Sequence, residues 1–482
     1  MNSSSPLALH PTIFVIFGIT GDLASGKLLP ALLALYSKRM LPPNFAIIGF
    51  SRRSFSREEF RDYIREHLNV KPGKYHEEDI KHFLDHMSYE QGFFDNMPAY
   101  ERLAERLRSI DDRWGQCSNK LFHLSVPPNM YEGILNNLAH SKLTVPCDDL
   151  SGWTRILIEK PFGNDIETAR SLDKLLEVLF EEKQIFRIDH YLAKEALQNI
   201  LAFRFMNQIF EPMWRREYID KIHIKLMESE GVHSRGDFYD RIGALKDVGQ
   251  NHLLQMLALV TMDEPRSYAA DDIRRERAKV LKSLRRISTS ELLKTAAKGQ
   301  YDGYRSETGV SPQSKTETYI RLQASIGSSR WRGVPIYLES GKAMAESKTE
   351  IDVYFKKSKL KILDKKLEKD QSSSVSAAER QNILTFRIQP DEGIKIKFFL
   401  KKPGYEFAID AKTLKFKYAD VPSYADLPDD YERLIHDAFI GDQTLFASTE
   451  EIMASWKFVT PILANWDRLP LKSYQKGTKE IE

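Results

Sequence analysis

Five consecutive apolar residues, Ile13-Phe14-Val15-Ile16-Phe17, run straight into the turn Gly18-Ile19-Thr20-Gly21-Asp22-Leu23-Ala24. A strand with apolar side chains on both faces must be covered on both faces, as in a parallel sheet between two layers of helices. The run is far too short to cross a membrane, and no basic stretch precedes it as a secretory leader would require.

The next 170 or so residues keep to that arrangement. Candidate strands Ile13–Phe17, Phe45–Gly49, Lys120–Val126 and Arg155–Glu159 alternate with the amphipathic stretches Leu28–Ser37, Ser56–His67, Ala99–Ile110 and Ile166–Phe180. Strand–helix alternation predicts an α/β, Rossmann-like dinucleotide-binding domain over residues 1–187. The texture then changes. Leu192–Phe210 and Ala244–Val260 have helical patterning, whereas Thr318–Ser325, Ile351–Phe355, Ile383–Ile388 and Ile394–Leu400 are strands without regular helices between them. Residues 188–482 therefore predict an α+β domain with a large, mostly antiparallel sheet. The charged, serine-bearing stretch Lys356–Arg380 predicts a solvent-facing loop or hairpin.

Composition narrows the class. With 42% apolar and 29% charged residues, the chain can bury a core and stay soluble. Its net charge of +3, from 71 basic and 68 acidic residues, argues against a dedicated nucleic-acid binder. The two cysteines, Cys117 and Cys147, fit no metal spacing and no disulfide framework, and predict two thiols in a reducing cytosol. No apolar run approaches membrane-spanning length, so the expected compartment is the cytoplasm.

The spacing after the first strand, G-x-x-G-x-x-A, lets a turn tighten so that backbone N–H groups and a helix N-terminus approach a pyrophosphate. Gly21-Asp22-Leu23-Ala24-Ser25-Gly26-Lys27-Leu28 also approaches a nucleoside-triphosphate loop, but Leu28 occupies the position of the magnesium-binding hydroxyl. The second strand runs out into Gly49-Phe50-Ser51-Arg52-Arg53. Two arginines and no carboxylate there favour a ribose 2′-phosphate, hence NADP over NAD.

Four further segments carry chemistry. Glu159-Lys160-Pro161 sets a lysine at the carboxyl end of a parallel strand, where open α/β sheets bind ligands. Arg187-Ile188-Asp189-His190-Tyr191-Leu192-Ala193-Lys194 offers a carboxylate, an imidazole, a hydroxyl and an amine, a donor set suited to a phosphate monoester. Glu228-Ser229-Glu230-Gly231 and Gly243-Ala244-Leu245-Lys246-Asp247-Val248-Gly249-Gln250-Asn251-His252 add carboxylates for sugar hydroxyls and a histidine in the pKa range of a general base. In an α-helix Asp247 and His252, five apart, lie on neighbouring faces and not on one.

Together with Val126-Pro127-Pro128, Arg204-Phe205-Met206-Asn207, Pro212-Met213-Trp214, Trp331-Arg332-Gly333-Val334-Pro335, Ser340-Gly341-Lys342-Ala343, Gln389–Ile394 and Gly441–Phe446, these segments resemble the glucose 6-phosphate dehydrogenase family over nearly the whole chain. The resemblance implies oxidation of D-glucose 6-phosphate at C1 to 6-phospho-D-glucono-1,5-lactone with hydride transfer to NADP, at the entry to the oxidative pentose phosphate pathway. It implies that Gly18, Thr20, Gly21, Asp22 and Leu23 line the dinucleotide turn, with Arg52 on the 2′-phosphate. It sets Tyr131 and Lys160 at the nicotinamide end, with Lys160 also reaching the sugar. His190, Tyr191 and Lys194 hold the phosphate, Glu228, Asp247 and Lys342 bind the sugar hydroxyls, and His252 is the base, oriented by Asp189. No metal is implied. A homodimer or homotetramer built through the sheet of the second domain is.

Some positions depart from the family pattern. Glu339 stands where arginine is usual, which argues against the additional structural NADP site of some members. Ser347 stands where a second basic substrate contact is usual, with Lys348 as a nearby substitute. Ala193 and Gly249 replace a glycine and a larger apolar residue. Two other readings exist: an enzyme of the glucose–fructose oxidoreductase type, which leaves Asp189–Lys194 and Gln250–His252 unexplained, and a sensor that binds NADP and sugar phosphate with little turnover.

Overall fold

The structure is a computed structural model and describes residues 10–71, 73–146, 152–357, 380–405, 408–424 and 427–481. Its strands are β1 (Thr12–Phe17), β2 (Phe45–Ser51), β3 (Met87–Gln91), β4 (Asn119–Leu124), β5 (Thr154–Ile158), β6 (Ile185–Ile188), β7 (Ile219–Met227) and β8 (Ala296–Tyr301). They continue as β9 (Tyr319–Ala324), β10 (Ile336–Gly341), β11 (Lys348–Phe355), β12 (Ile383–Gln389), β13 (Gly393–Lys401), β14 (Ile409–Lys417), β15 (Phe446–Ala447) and β16 (Leu471–Tyr474). Two compact units divide the chain. The first is Met1–Ala193 with Ala269–Arg274 and Pro428–Ile452; the second is Lys194–Tyr268, Arg275–Leu427 and Met453–Glu482.

The first unit is built on a seven-stranded sheet in the order β3-β2-β1-β4-β5-β6-β15. β1 to β6 pair in parallel, and short β15 closes the edge antiparallel to β6. All six residues of β1 and of β4 are buried, as strands covered on both faces must be. The helices start where their caps dictate. Ser56 and Glu59 form a capping box ahead of Arg57–His67, Asn96 caps Met97–Trp114, and Asp165 caps Ile166–Leu179. Strand order reverses between β1 and β4, which opens a crevice at their carboxyl ends.

Arg187, the first residue of the dense segment noted above, has a structural role in this unit. Its buried guanidinium lies 2.9 Å from Asp173, 2.8 Å from Glu182 and 2.6 Å from the Thr449 hydroxyl. Arg274 joins the cluster through Glu182 at 2.6 Å and Gln443 at 2.8 Å. These contacts fasten the two late segments, Ala269–Arg274 and Pro428–Ile452, to the sheet.

The second unit carries a nine-stranded sheet in the order β14-β13-β12-β11-β7-β10-β9-β8-β16. β7 with β10 and β8 with β16 are parallel; the remaining pairings are antiparallel. The helix expected at Ala244–Val260 is present, but Leu245–Leu253 is a π-helix that continues as α-helix over Leu254–Thr261. Its last carbonyls are taken by side chains. Arg204 donates to Leu259 O at 3.4 Å, Trp214 Nε1 to Val260 O at 2.7 Å and Trp331 Nε1 to Thr261 O at 2.7 Å.

Most of the charged stretch at 356–380 lies outside the described residues. Cys117 is disulfide-bonded, so the free thiol expected there is overturned; the chain's other cysteine, Cys147, lies outside the described residues. A sequence shows the spacing of two cysteines and not the approach of their α-carbons, which decides pairing. Among the described residues no helix is long and apolar enough to cross a membrane.

Candidate functional site

In the first unit the glycine turn occupies the carboxyl end of β1. Gly18 has φ +80°, and a β-carbon there would sit 2.2 Å from the carbonyl oxygen of Ser125, just past β4. Only glycine fits, by conformation and by space. The Gly18 N–H donates to Phe50 O at 2.8 Å, that of Gly21 to Gly18 O at 2.9 Å, and that of Ser25 to Gly21 O at 3.1 Å as the helix opens. Asp22 is exposed and Leu23 half-buried at this opening.

The turn is tied to the end of β2. Thr20 Oγ1 donates to Ser51 Oγ at 3.4 Å, and Tyr63 OH to Thr20 O at 3.2 Å. Arg52 follows Ser51 and is exposed, with no side-chain partner among the described residues. Arg53 lies 5.5 Å from the centre of the Tyr63 ring. A cradle with no room for a β-carbon and a guanidinium beside it fits a dinucleotide with an extra phosphate.

Lys160 follows β5, with a cis bond to Pro161. Tyr131 is buried, and its hydroxyl donates to Glu159 O at 2.9 Å, on the peptide that leads into Lys160. Burial above all, with the charge of Glu159, pushes the Tyr131 phenol up. The Glu159 carboxylate accepts from Tyr431 OH at 3.1 Å and lies 3.3 Å from Nε2 of the buried His123. Tyr431 and His123 were not legible as part of this surround, because both come from distant segments with no motif of their own.

Asp189 is buried and accepts the Tyr191 N–H at 3.1 Å, which starts the single 3-10 turn His190–Ala193. The His190 ring lies 5.0 Å from that of Tyr191 and stacks at 6.5 Å on Tyr431. The chain passes from the first unit to the second between Ala193 and Lys194, and Lys194 is the N-cap of the helix Glu195–Met206.

In the second unit, Glu228 and Lys342 each follow the last residue of a strand, β7 and β10, which pair in parallel with Met227 opposite Gly341. Both side chains therefore leave the sheet at one edge, and Lys342 Nζ donates to Glu228 Oε2 at 2.5 Å. Lys342 Nζ also lies 5.2 Å from the ring centre of buried Tyr239, whose phenol is pushed well above its usual value by burial first and then by Asp247, Glu317 and Glu228. Sequence reasoning did not single out Tyr239.

The π-helix packs against β7 and β10. Its hydrogen bonds join residues five apart, so Asp247 and His252 stand one turn apart on a common face, which corrects the α-helical expectation. His252 is buried, and its N–H donates to Asn251 Oδ1 at 2.6 Å. Gly249 has a packing reason: a β-carbon there would lie 2.9 Å from Leu245 Cδ1 and 3.1 Å from Ile320 Cδ1.

The departures are settled locally. Ser347 Oγ accepts the Ser229 N–H at 2.8 Å and lies 2.8 Å from Ser229 Oγ, one residue from Glu228. Lys348 is held by Glu346 at 2.6 Å and Glu350 at 3.7 Å. Glu339 lies 2.6 Å from His223 Nε2 and accepts from Tyr319 OH at 2.7 Å.

A parallel sheet with a glycine cradle at its strand-order reversal, joined to an α+β unit bearing a histidine and polar side chains, defines a dinucleotide-dependent oxidoreductase. Residues 15–199 match the family model for the glucose-6-phosphate dehydrogenase NAD binding domain, and residues 201–482 that for its C-terminal domain. The chain belongs to the glucose-6-phosphate dehydrogenase family, as the resemblance implied. A Chlamydia pneumoniae glucose-6-phosphate 1-dehydrogenase is 39% identical over 96% of this chain and 91% of its own. The Aggregatibacter actinomycetemcomitans enzyme of that name is 41% identical over 96% of this chain and 93% of its own. A solved structure of glucose-6-phosphate dehydrogenase in complex with its substrate glucose-6-phosphate superposes with a TM-score of 0.88 at 33% identity, covering 98% of this chain and 96% of that one.

Glu339 yields a pH prediction. Burial pushes its carboxyl up, but the bonds from His223 and Tyr319 outweigh this and hold it below the ordinary value of 4.5. A depressed carboxyl contributes stability above its unfolded pKa and loses it as pH falls through the folded one. Glu339→Gln is expected to cost roughly 2 kcal/mol near neutral pH. That deficit should hold from about pH 7 down to about pH 5 and shrink only as pH falls further, through the lowered folded value, toward about pH 3. Urea denaturation of both proteins across this range measures it, and a pH-independent difference would show that the carboxylate charge contributes nothing.

Proposed function

We propose that the chain oxidises D-glucose 6-phosphate at C1 to 6-phospho-D-glucono-1,5-lactone with NADP as its coenzyme. The observation that carries this reading is the π-helix, which stands His252 and Asp247 one turn apart and packs against β7 and β10, the strands that run out into the Glu228–Lys342 pair. His252 accepts the proton of the C1 hydroxyl as C1 becomes the lactone carbonyl. Asp189 fixes the imidazole tautomer and stabilises its charged form, the task of a carboxylate in such a couple. Glu228, Asp247 and Lys342 bind the sugar hydroxyls, and His190, Tyr191 and Lys194 bind the phosphate, with Lys160 reaching both sugar and coenzyme.

Gly18, Thr20, Gly21, Asp22 and Leu23 line the dinucleotide turn, Arg52 holds the 2′-phosphate, and Tyr131, which bonds the Glu159 carbonyl, borders the nicotinamide end with Lys160. Bound there, NADP supplies the hydride acceptor. The proposed compartment is the cytoplasm, because the sugar phosphate and the coenzyme are both charged and do not cross membranes unaided.

The proposed assembly is a homodimer through the sheet of the second unit. Phe398 and Leu400 on β13 and Leu414 and Phe416 on β14 are exposed on one face of the hairpin. A contiguous apolar patch of this kind marks an association surface.

The purified protein with NADP and glucose 6-phosphate should develop the absorbance of NADPH. Binding without turnover would favour the sensor reading, and turnover of unphosphorylated sugars alone the glucose–fructose oxidoreductase type. His252→Asn is expected to lower kcat by about 100-fold or more while leaving sugar-phosphate binding largely intact. Near-normal kcat in that variant sinks the assignment of the base. Arg52→Ala should raise KM for NADP roughly tenfold to a hundredfold and leave KM for NAD nearly unchanged; equal effects on both coenzymes would remove the 2′-phosphate role. Leu414→Glu should yield a monomer in sedimentation, and an unchanged dimer would place the contact elsewhere.

A further inference from the structure

Glu317 is a buried carboxylate that no motif singled out. It lies two residues before β9, and both of its acceptor groups point at the start of the helix that carries Asp247 and His252. Its main-chain oxygen accepts the Ala244 N–H at 3.1 Å, and its Oε1 accepts the Leu245 N–H at 3.0 Å. The contact is close on the other side too. Gly243 has φ +73°, and a β-carbon there would come 2.6 Å from Glu317 Oε1 and 2.8 Å from Cδ and Oε2. The chain therefore enters the helix through a glycine pressed flat against the carboxyl group.

A buried carboxyl group is expensive and persists where something offsets the cost. Burial pushes Glu317 up, against the N–H of Leu245 and the charge of buried Lys298. A helix N-terminus with its unpaired N–H groups favours an acceptor at this place. The segment that follows is a π-helix over Leu245–Leu253, a geometry that proteins use sparingly.

We propose that Glu317 is a positioning residue for the reaction: it anchors the first N–H groups of this helix and so maintains the five-residue register that sets His252 over Asp247. Without the anchor the segment relaxes toward α-helical bonding, in which residues five apart are rotated by about 140° from each other. His252 then leaves the face it shares with Asp247. This inference rests on the reading of His252 as the base.

The test is steady-state kinetics with glucose 6-phosphate and NADP on the full chain, with wild type, Glu317→Gln, Glu317→Ala, Gly243→Ala, the Gly243→Ala/Glu317→Ala double variant and His252→Asn side by side. Glu317→Gln keeps a carbonyl acceptor for Leu245 and should restore kcat to within about threefold of wild type. Glu317→Ala should lower kcat by about 30-fold or more with KM for NADP unchanged, since a misplacement of about 1 Å at the reacting groups costs this much. Gly243→Ala drives a methyl group into the carboxyl group and should lose kcat in the same way; its φ of +73° also costs both Gly243→Ala variants stability, but with the carboxyl group removed the double variant should have a kcat no worse than Glu317→Ala alone. Gly243→Ala also carries the test if Glu317→Ala does not fold. The proposal falls if Glu317→Ala or Gly243→Ala keeps kcat within about threefold of wild type, or if the losses of these two multiply in the double variant and KM for NADP rises with them. Normal turnover by His252→Asn would instead remove the base assignment, whatever Glu317→Ala does.

Discussion

The parallel pairing of β7 with β10, inside a sheet that is otherwise largely antiparallel, decides where the second unit can do chemistry. Antiparallel neighbours send successive carboxyl ends to opposite edges of a sheet. A parallel pair sends both to one edge, where ligands of open sheets collect. Glu228 and Lys342 step off that edge side by side, and the π-helix packs against the same two strands. The first unit obeys the same rule with a different sheet. Gly18, Arg52, Ser125 and Lys160 follow the ends of β1, β2, β4 and β5. One geometric device thus arranges the candidate site residues of both units, although their sheets share no topology.

How much of this was legible depends on how locally each feature is encoded. β1, β2, β4 and β5 were readable to within about two residues because an apolar run is a local signal. The four-residue β6, the half-polar β3 and the two-residue β15 carry too little pattern to be seen. The return of Ala269–Arg274 and Pro428–Ile452 to the first unit rests on Arg187, Glu182 and Gln443, which meet only in three dimensions. Arg187 itself read as one more member of a reactive segment. Its neighbours Asp173 and Thr449 make it a structural clamp behind that segment.

The departures from the family pattern show the same limit from the other side. A residue type can be noted as unusual, but its partners must be seen before its effect is known. Glu339 reads as a lost cation; in place, it is a carboxylate bonded by His223 and Tyr319. Lys348 reads as a substitute for the basic contact missing at Ser347, yet Glu346 and Glu350 hold it, and the hydroxyl pair of Ser347 and Ser229 stands next to Glu228 instead. Gly249 reads as a loss of helix propensity; in place, the ends of the Leu245 and Ile320 side chains pack against it and would have to shift for a β-carbon.

The π-helix brings these strands of argument together, because its geometry needs support from outside itself. At its start, Glu317 takes the N–H groups of Ala244 and Leu245. At the far end of the continuous helix, Arg204, Trp214 and Trp331 take the carbonyls of Leu259, Val260 and Thr261. Those three side chains lie in segments that carry the family resemblance, and here they fix a helix end. Held at both termini, the segment cannot exchange five-residue for four-residue hydrogen bonds without drawing away from one anchor or the other. The cost of burying Glu317 and Arg204 is therefore carried at the two ends of the helix, and what it supports is the register of Asp247 and His252 between them.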